Sequence, residues 1–246
     1  MHTSNSPERS KPTIILVHGA FADSSSWNDV VDRLTNEGYP TIAVANPLRG
    51  LEADAEYLRS VFDHVGGPIV VAGHSYGGSV LSQAAADHPD VKALVYLASF
   101  QPDVGESAGE LAAKFPGGEL GNNLAPVPFP TPDGGTGTDL YIKQETFGAA
   151  FAADLPSDVT ARMAVTQRPI ASTALEDKAT KAAWKTIPSW SLIAKQDLAI
   201  PLESQRYMSE RAGSHTSEVD ASHAITVSRP AETAAVIIEA ARSVTD

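Results

Sequence analysis

Runs of apolar residues separated by helical patterns dominate the first hundred positions of the chain. Four of these runs, at residues 13–17, 41–45, 68–72 and 91–97, contain Val, Ile, Leu and Ala at successive positions rather than at alternate ones. A strand that is buried on both faces has this composition, because each face contacts another layer of the fold. The four runs therefore predict parallel strands inside an α/β fold.

The segments between these runs repeat their apolar residues at helical spacing. Trp27, Val30 and Leu34 form one such stripe, and the apolar residues within positions 55–65 form a second. The same alternation returns after residue 188, with predicted strands at 189–194 and 215–219 and an amphipathic helix over residues 231–244. This rhythm predicts a mainly parallel sheet flanked by helices on both faces.

The rhythm is interrupted between residues 101 and 188. Proline and glycine cluster at residues 115–118 and 125–135, and helical patterns surround these clusters. A structureless loop of such length is improbable within a compact domain. We therefore predict a mostly helical cap at residues 101–188, in which the proline-rich stretch folds back as a small hairpin. The core then comprises residues 12–100 and 189–246, after a disordered lead over residues 1–11.

Composition narrows the possible functions. The 18 basic and 30 acidic residues give a net charge of −12, which opposes binding to nucleic acid or to an anionic membrane. The absence of cysteine excludes disulfides, thiolate zinc sites and cysteine nucleophiles. No two histidines have metal-ligand spacing, so no catalytic metal is expected. Without a signal-like or membrane-spanning apolar run, we expect a cytoplasmic monomer or homodimer.

The strongest chemical signal is the stretch at residues 73–77, which reads Gly-His-Ser-Tyr-Gly. It follows a predicted strand and precedes a predicted helix, the setting of a nucleophile elbow. Such an elbow holds its serine, here Ser75, in a strained turn with the hydroxyl exposed. An ordinary glycine-rich turn is the alternative. The flanking strand and helix favour the elbow.

A serine hydroxyl attacks at neutral pH only when a base takes its proton and an acid orients that base. Asp197 and His223 each follow a predicted strand, and with Ser75 they occur in the order Ser, Asp, His. The carboxyl ends of parallel strands share one edge of the sheet, where these groups would meet. Asp103, just after the strand at 91–97, is the alternative acid.

An oxyanion intermediate requires hydrogen-bond donors aimed at the developing charge. The backbone amides of Ala20, in the loop after the first strand, and Tyr76, at the start of the elbow helix, are the candidates. Apolar cap residues are candidates for the substrate pocket and equally for the core of the cap. They are Phe115, Leu124, Phe129, Tyr141, Phe147, Phe151 and Trp184, with Phe21 and His74 beside the proposed site.

Taken together, residues 17–20, the elbow, the Asp197 loop and residues 222–224 resemble the α/β-hydrolase superfamily. His18-Gly19-Ala20, Trp27 and the small size resemble the branch of plant methylesterases, hydroxynitrile lyases and bacterial carboxylesterases. The resemblance implies a Ser-His-Asp triad, an ester-type substrate and no cofactor. Hydroxynitrile lyases carry Thr in place of Gly19 and Lys in place of Ala224, which disfavours lyase activity. A serine nucleophile also disfavours haloalkane dehalogenase and epoxide hydrolase chemistry.

These observations predict a serine hydrolase that cleaves small carboxylic esters or lactones through an acyl-enzyme. A small-molecule ester is its expected partner. A ligand-binding receptor built on the hydrolase scaffold is one alternative, and a cofactor-free lyase or perhydrolase with the same triad is another.

Overall fold

The computed structural model describes residues 11–245, so residues 1–10 of the predicted lead lie outside it. Its strands are β1 (Thr13–Val17), β2 (Thr41–Val44), β3 (Ile69–Ser75), β4 (Val91–Ser99), β5 (Leu124–Pro130), β6 (Thr136–Ile142), β7 (Ile170–Ala171), β8 (Ser189–Ala194) and β9 (His215–Val219). Six of these strands form the central sheet, with the order β2-β1-β3-β4-β8-β9 and every neighbouring pair parallel. The predicted parallel sheet is confirmed.

Helices lie on both faces of this sheet and in the segment between residues 101 and 188. They are α1 (Asn28–Asn36), α2 (Leu51–Val65), α3 (Tyr76–Ala84), α4 (Ala108–Ala113), α5 (Gln144–Phe151), α6 (Ser157–Thr166), α7 (Ser172–Glu176), α8 (Leu202–Ala212), α9 (Ile225–Ser228) and α10 (Pro230–Thr245). Short 3₁₀ helices occupy Ser24–Trp27, Leu120–Asn123 and Ala183–Lys185. Over residues 11–245, no helix has both the length and the hydropathy of a membrane span.

The central strands explain why their apolar runs are continuous. In β1, Ile14 and Leu16 belong to the core layer that includes α1 and α10. Ile15 and Val17 point the other way, into the layer that includes α2 and α3. All four side chains are fully buried. Successive residues of a strand face opposite sides, so a strand between two helical layers must be apolar at every position.

The inserted segment contains α4 to α7 and a three-stranded antiparallel sheet of order β5-β6-β7. The proline-rich stretch forms the first strand of this sheet. Pro126, Pro128 and Pro130 alternate along β5, which is an edge strand, where a missing backbone N–H is tolerated. Hydrogen bonds join the insertion to the core at Phe21 N–Arg168 O (2.9 Å) and Ala171 N–Leu48 O (3.0 Å). The insertion is therefore fastened over the carboxyl edge of the main sheet.

Candidate active site

The nucleophile elbow lies where β3 ends at Ser75 and α3 begins. Ser75 has φ 54° and ψ −125°, a backbone conformation that is strained for a residue with a side chain. The chain packs so closely there that a Cβ on Gly77 would lie 2.4 Å from the carbonyl oxygen of Val17, and one on Gly73 would lie 2.7 Å from the carbonyl carbon of Gly77. Glycine is therefore required on both sides of the serine.

A continuous hydrogen-bond chain joins Ser75, His223 and Asp197. The distance from Ser75 Oγ to His223 Nε2 is 2.9 Å, and the distance from His223 Nδ1 to Asp197 Oδ2 is 2.6 Å. Both His223 and Asp197 are buried. With Nδ1–H donated to the carboxylate, Nε2 is the free base that faces the hydroxyl, which is the tautomer that nucleophilic catalysis requires.

The carboxylate of Asp197 is held by further donors. Its Oδ1 accepts hydrogen bonds from the amides of Ala199 (2.7 Å) and Ile200 (2.9 Å), and its Oδ2 accepts one from Gln205 Nε2 (3.0 Å). Gln205 also donates to Ile200 O and accepts from Ala194 N. Sequence reasoning missed Gln205, because a glutamine on a helix belongs to no motif; its place on the buried side of α8 was the only available signal.

Asp103, the alternative acid, lies elsewhere. Its carboxylate pairs with Lys185 at 2.5 Å and is 30% exposed. The structure therefore brings Asp197, and not Asp103, to His223.

Ala20 and Tyr76, whose backbone amides are the predicted oxyanion donors, line the same cavity as Ser75. In the described part of the chain, neither amide donates a hydrogen bond to another protein group. The loop that carries Ala20 passes so close to the nucleophile that a Cβ on Gly19 would lie 2.7 Å from Ser75 Cβ. An oxyanion hole requires amides that are free of other acceptors, so Ala20 and Tyr76 stay the predicted donors.

A buried histidine supports the Ala20 loop. His18 Nε2 accepts a hydrogen bond from Asn46 N (3.0 Å), and His18 Nδ1 bonds Gly19 O at 2.8 Å. These partners require a neutral ring with its proton on Nδ1. Burial lowers the pKa of His18, which agrees with that neutral form. The ring thus shapes the loop rather than transferring protons.

His74 supports His223 from beneath. Its Nε2 donates to the backbone carbonyl of His223 at 2.7 Å, and the two ring centroids lie 4.7 Å apart. Burial, together with the charge that His223 can carry, lowers the pKa of His74 well below its ordinary range. His74 therefore stays neutral and places no second positive charge beside the catalytic imidazole. The ring does not line the cavity.

The cavity above Ser75 has a volume of about 310 Å³. Small residues of α4 and of the glycine-rich turn after it form one wall, and Phe21, Phe100 and Ile200 form others. None of its lining residues is charged. The lining comprises Ala20, Phe21, Ser75, Tyr76, Phe100, Ala108, Gly109, Ala112, Ala113, Gly118, Leu120, Gly121, Leu124, Leu175, Ala199 and Ile200.

Six aromatic residues expected in the pocket lie outside it. The ring of Phe115 lies beside that of Tyr207 and the ring of Phe151 beside that of His223, with centroids 5.8 and 4.9 Å apart. Phe129 packs under the Arg49 guanidinium on the hairpin, and Tyr141 lies on the neighbouring strand beside a different surface cavity. Phe147 is fully buried in the core of the insertion, and Trp184 Nε1 donates to a backbone carbonyl at 2.8 Å. Large apolar side chains fill the core of the insertion, whereas the open volume exists where side chains are small.

No group of three or more His, Asp or Glu residues between positions 11 and 245 is arranged to hold a metal ion. The polar groups gathered at the site are those of the Ser75 hydrogen-bond chain and its supports.

Known proteins are similar to this chain over most of its length. A model of the alpha/beta hydrolase family matches residues 14–236. The alpha/beta hydrolase nvfD of Aspergillus novofumigatus is 31% identical over 78% of this chain and 80% of its own length. Esterase PIR7B of Oryza sativa subsp. japonica is 28% identical over 94% of this chain and 96% of its own length.

Among solved structures, that of polyneuridine aldehyde esterase superposes with a TM-score of 0.81, although the two sequences are only 19% identical. The superposition covers 94% of this chain and 99% of the other. At that identity the likeness concerns the fold. The family match over residues 14–236, nearly the whole chain, establishes that this protein belongs to the alpha/beta hydrolase family.

Proposed function

We propose that the protein hydrolyses carboxylic esters or lactones through an acyl-enzyme formed on Ser75. The observation that carries this proposal is the unbroken hydrogen-bond chain from Ser75 through His223 to Asp197, with distances of 2.9 and 2.6 Å. Acyl transfer by a serine needs a base beside its hydroxyl and an acid that orients the base, and this hydrogen-bond chain supports those roles for Ser75, His223 and Asp197.

In the first half-reaction, Ser75 Oγ bonds to the ester carbonyl carbon while its proton passes to His223 Nε2. The amides of Ala20 and Tyr76 hold the resulting oxyanion, and Asp197 stabilises the imidazolium. The tetrahedral intermediate then expels the alcohol, which takes the proton from His223. In the second half, His223 deprotonates a water molecule that attacks the acyl-enzyme, and the acid leaves as the proton returns to Ser75.

The uncharged lining of the cavity above Ser75 supports an apolar, uncharged acyl group in the substrate. The leaving oxygen must reach His223 Nε2, but the residues that line the cavity include Ser75, Ala20 and Tyr76 and not His223. The acyl side of the ester is therefore the side that faces the cavity. Placing a charged group among uncharged, mostly apolar walls would remove it from water without a partner.

Hydrolysis fits the family and the local structure better than cyanohydrin cleavage. The chain is a hydrolase by family, and curated relatives over most of its length include proteins named as esterases. Gly19 has no room for the threonine that hydroxynitrile lyases carry, because even a Cβ there would lie 2.7 Å from Ser75 Cβ. These observations support ester hydrolysis, in which water is the second substrate, over cleavage of a cyanohydrin into an aldehyde and cyanide.

The proposal is tested by measuring p-nitrophenyl ester hydrolysis for the wild type, Ser75→Ala and Ser79→Ala. Ser79 is a matched control, since it is buried on α3, the helix that directly follows Ser75, and its hydroxyl has no partner among residues 11–245. We expect Ser75→Ala to abolish turnover and Ser79→Ala to retain it. Substantial turnover by folded Ser75→Ala would refute the mechanism.

A panel of substrates tests the acyl-side assignment. Neutral butanoyl, hexanoyl and benzoyl esters should be cleaved with higher kcat/KM than the hemisuccinate ester, whose acyl group carries a charge. Equal or higher kcat/KM for the charged ester would contradict the assignment of the cavity to the acyl group.

A further inference from the structure

We infer that Asp54 is a positioning residue of the oxyanion hole. By anchoring the side chain of Tyr76, it holds the backbone amide of Tyr76 in place. This inference rests on the proposed function, since Tyr76 supplies one of the two oxyanion amides. Asp54 lies on α2, 21 positions before the nucleophile, and it plays no part in proton transfer. It is a fully buried carboxyl group that the mechanism above leaves without a role.

The geometry around Asp54 is that of a built anchor. Tyr76 Oη donates a hydrogen bond to Asp54 Oδ2 at 2.7 Å. Asp54 Oδ1 accepts the amide of Arg49 at 3.0 Å, and the amide of Gly50 approaches Oδ2 at 3.4 Å. A carboxyl group removed from water is tolerated only when donors satisfy its oxygens. The phenol of Tyr76 is the single side chain among these donors.

The anchored residue is the one whose backbone must be oriented. Tyr76 is the first residue of α3 and directly follows Ser75, whose φ of 54° is strained. The direction of its N–H is set by the peptide between these two residues. Because the ring of Tyr76 is buried and its hydroxyl is hydrogen-bonded, the side chain limits the rotation of that peptide. Preorganised donors stabilise the transition state because they need no reorientation during the reaction.

The anchor is itself fastened to the insertion. The Arg49 guanidinium pairs with Asp139 of β6 at 2.8 Å, and the amide of Leu51 donates to Asp177 Oδ2 at 2.9 Å. These bonds fix the loop whose amides hold Asp54. The orientation of the Tyr76 amide is thus supported through Asp54 by residues more than 60 positions later in the chain.

Tyr76→Phe tests the inference, because it removes the hydroxyl and keeps the ring. Tyr96→Phe is the matched control: Tyr96 is also buried, and its hydroxyl makes a 2.7 Å hydrogen bond to Ser82, away from the oxyanion hole. We expect kcat of Tyr76→Phe to fall by about 5- to 30-fold with KM within about twofold, less than the roughly 100- to 1,000-fold loss on removing an oxyanion donor. Tyr96→Phe should keep kcat within about twofold.

Asp54→Asn provides a second variant of the same pair. If the two groups act as a unit, the double variant that carries both Asp54→Asn and Tyr76→Phe should lower kcat no further than the more damaging single variant. Equal kcat for Tyr76→Phe and Tyr96→Phe would overturn the inference. So would a fall confined to KM. Neither result would touch the proposed function, which Ser75→Ala tests separately.

Covalent labelling supplies a readout that does not need ester turnover. Ser75 Oγ attacks the phosphorus of a fluorophosphonate while its proton passes to His223 Nε2. The P–O bond forms, the P–F bond breaks to release fluoride, and the phosphoryl oxygen occupies the oxyanion site. The rate of mass gain at Ser75 should fall by about 5- to 30-fold in Tyr76→Phe and stay unchanged in Tyr96→Phe. Equal labelling rates for the two variants would refute a role of the anchor in the oxyanion hole.

Discussion

Replacing Gln205 by leucine probes how firmly the triad acid must be held. Gln205 is buried, and its amide nitrogen donates to Asp197 Oδ2 at 3.0 Å and to Ile200 O at 2.8 Å. Its amide oxygen accepts from Ala194 N at 3.2 Å. Leucine has a similar shape but none of these groups. The change therefore removes one of the four hydrogen bonds to the carboxylate and leaves two backbone groups without partners.

The structure gives both effects a magnitude. A hydrogen bond to a charged group contributes about 1.5–3 kcal/mol, and each 1.4 kcal/mol corresponds to about tenfold in rate. The loss in kcat/KM is therefore at most about 10- to 150-fold. The two amides on Asp197 Oδ1 and the bond to His223 remain, so we expect a value near the lower limit. Orphaning Ala194 N and Ile200 O lowers the free energy of unfolding by about 2–6 kcal/mol.

Gln167→Leu is the control that separates the loss of the Asp197 hydrogen bond from general destabilisation. Gln167 is buried in the insertion and makes three hydrogen bonds of 2.8–2.9 Å, to Ile142 N, Ile142 O and Ala164 O. Its loss should lower the free energy of unfolding similarly and leave ester kcat/KM within about twofold. Both variants are compared by urea unfolding and by p-nitrophenyl butanoate kinetics under conditions where each is folded.

Two results would refute the reasoning. If Gln205→Leu kept wild-type kcat/KM, the amide of Gln205 would not orient the carboxylate. If Gln167→Leu lost activity to the same extent, the loss would reflect general destabilisation instead of the triad.

Three further predictions follow from the site. Asp197→Asn should lower kcat by about 10⁴-fold, while Asp103→Asn should leave it unchanged in the same ester assay; the reverse result would reassign the acid. Gly77→Ala should abolish activity and lower the urea midpoint, because its Cβ would lie 2.4 Å from Val17 O, and normal kinetics would contradict that clash. Burial lowers the pKa of His74 below its ordinary 6.5, so this histidine takes up a proton in the unfolded chain before it does so in the folded one. The free energy of unfolding should therefore fall as the pH drops below about 6.5, by up to about 1.4 kcal/mol per pH unit. His74→Gln should flatten this pH dependence in urea titrations.

Much of the framework can be read from local pattern. The continuous apolar runs at β1 and β3 identify strands buried on both faces, because a strand between two helical layers has no polar side. The Gly-His-Ser-Tyr-Gly motif specifies the elbow, since only glycine fits where an added Cβ would lie 2.4 Å from another backbone atom. The convergence of Ser75, Asp197 and His223 is expected because the carboxyl ends of parallel strands meet at one edge of the sheet.

The remaining features depend on contacts between distant segments. Asp103 and Asp197 both follow strands, and only the folded structure shows that one pairs with Lys185 and the other with His223. No sequence spacing connects Gln205 to the triad. The proposed pocket-lining aromatic Phe147 instead fills the core of the insertion.

By itself, the sequence determined the layered parallel sheet, the strained serine turn and the residues able to serve it, because backbone sterics and the two-sided burial of strands act locally. Only the tertiary structure decided which carboxylate meets His223, that Asp54 binds Tyr76, and that the cavity lies beside the small residues of α4. Empty space has no motif. It is what remains after larger side chains have packed, and that depends on every segment at once.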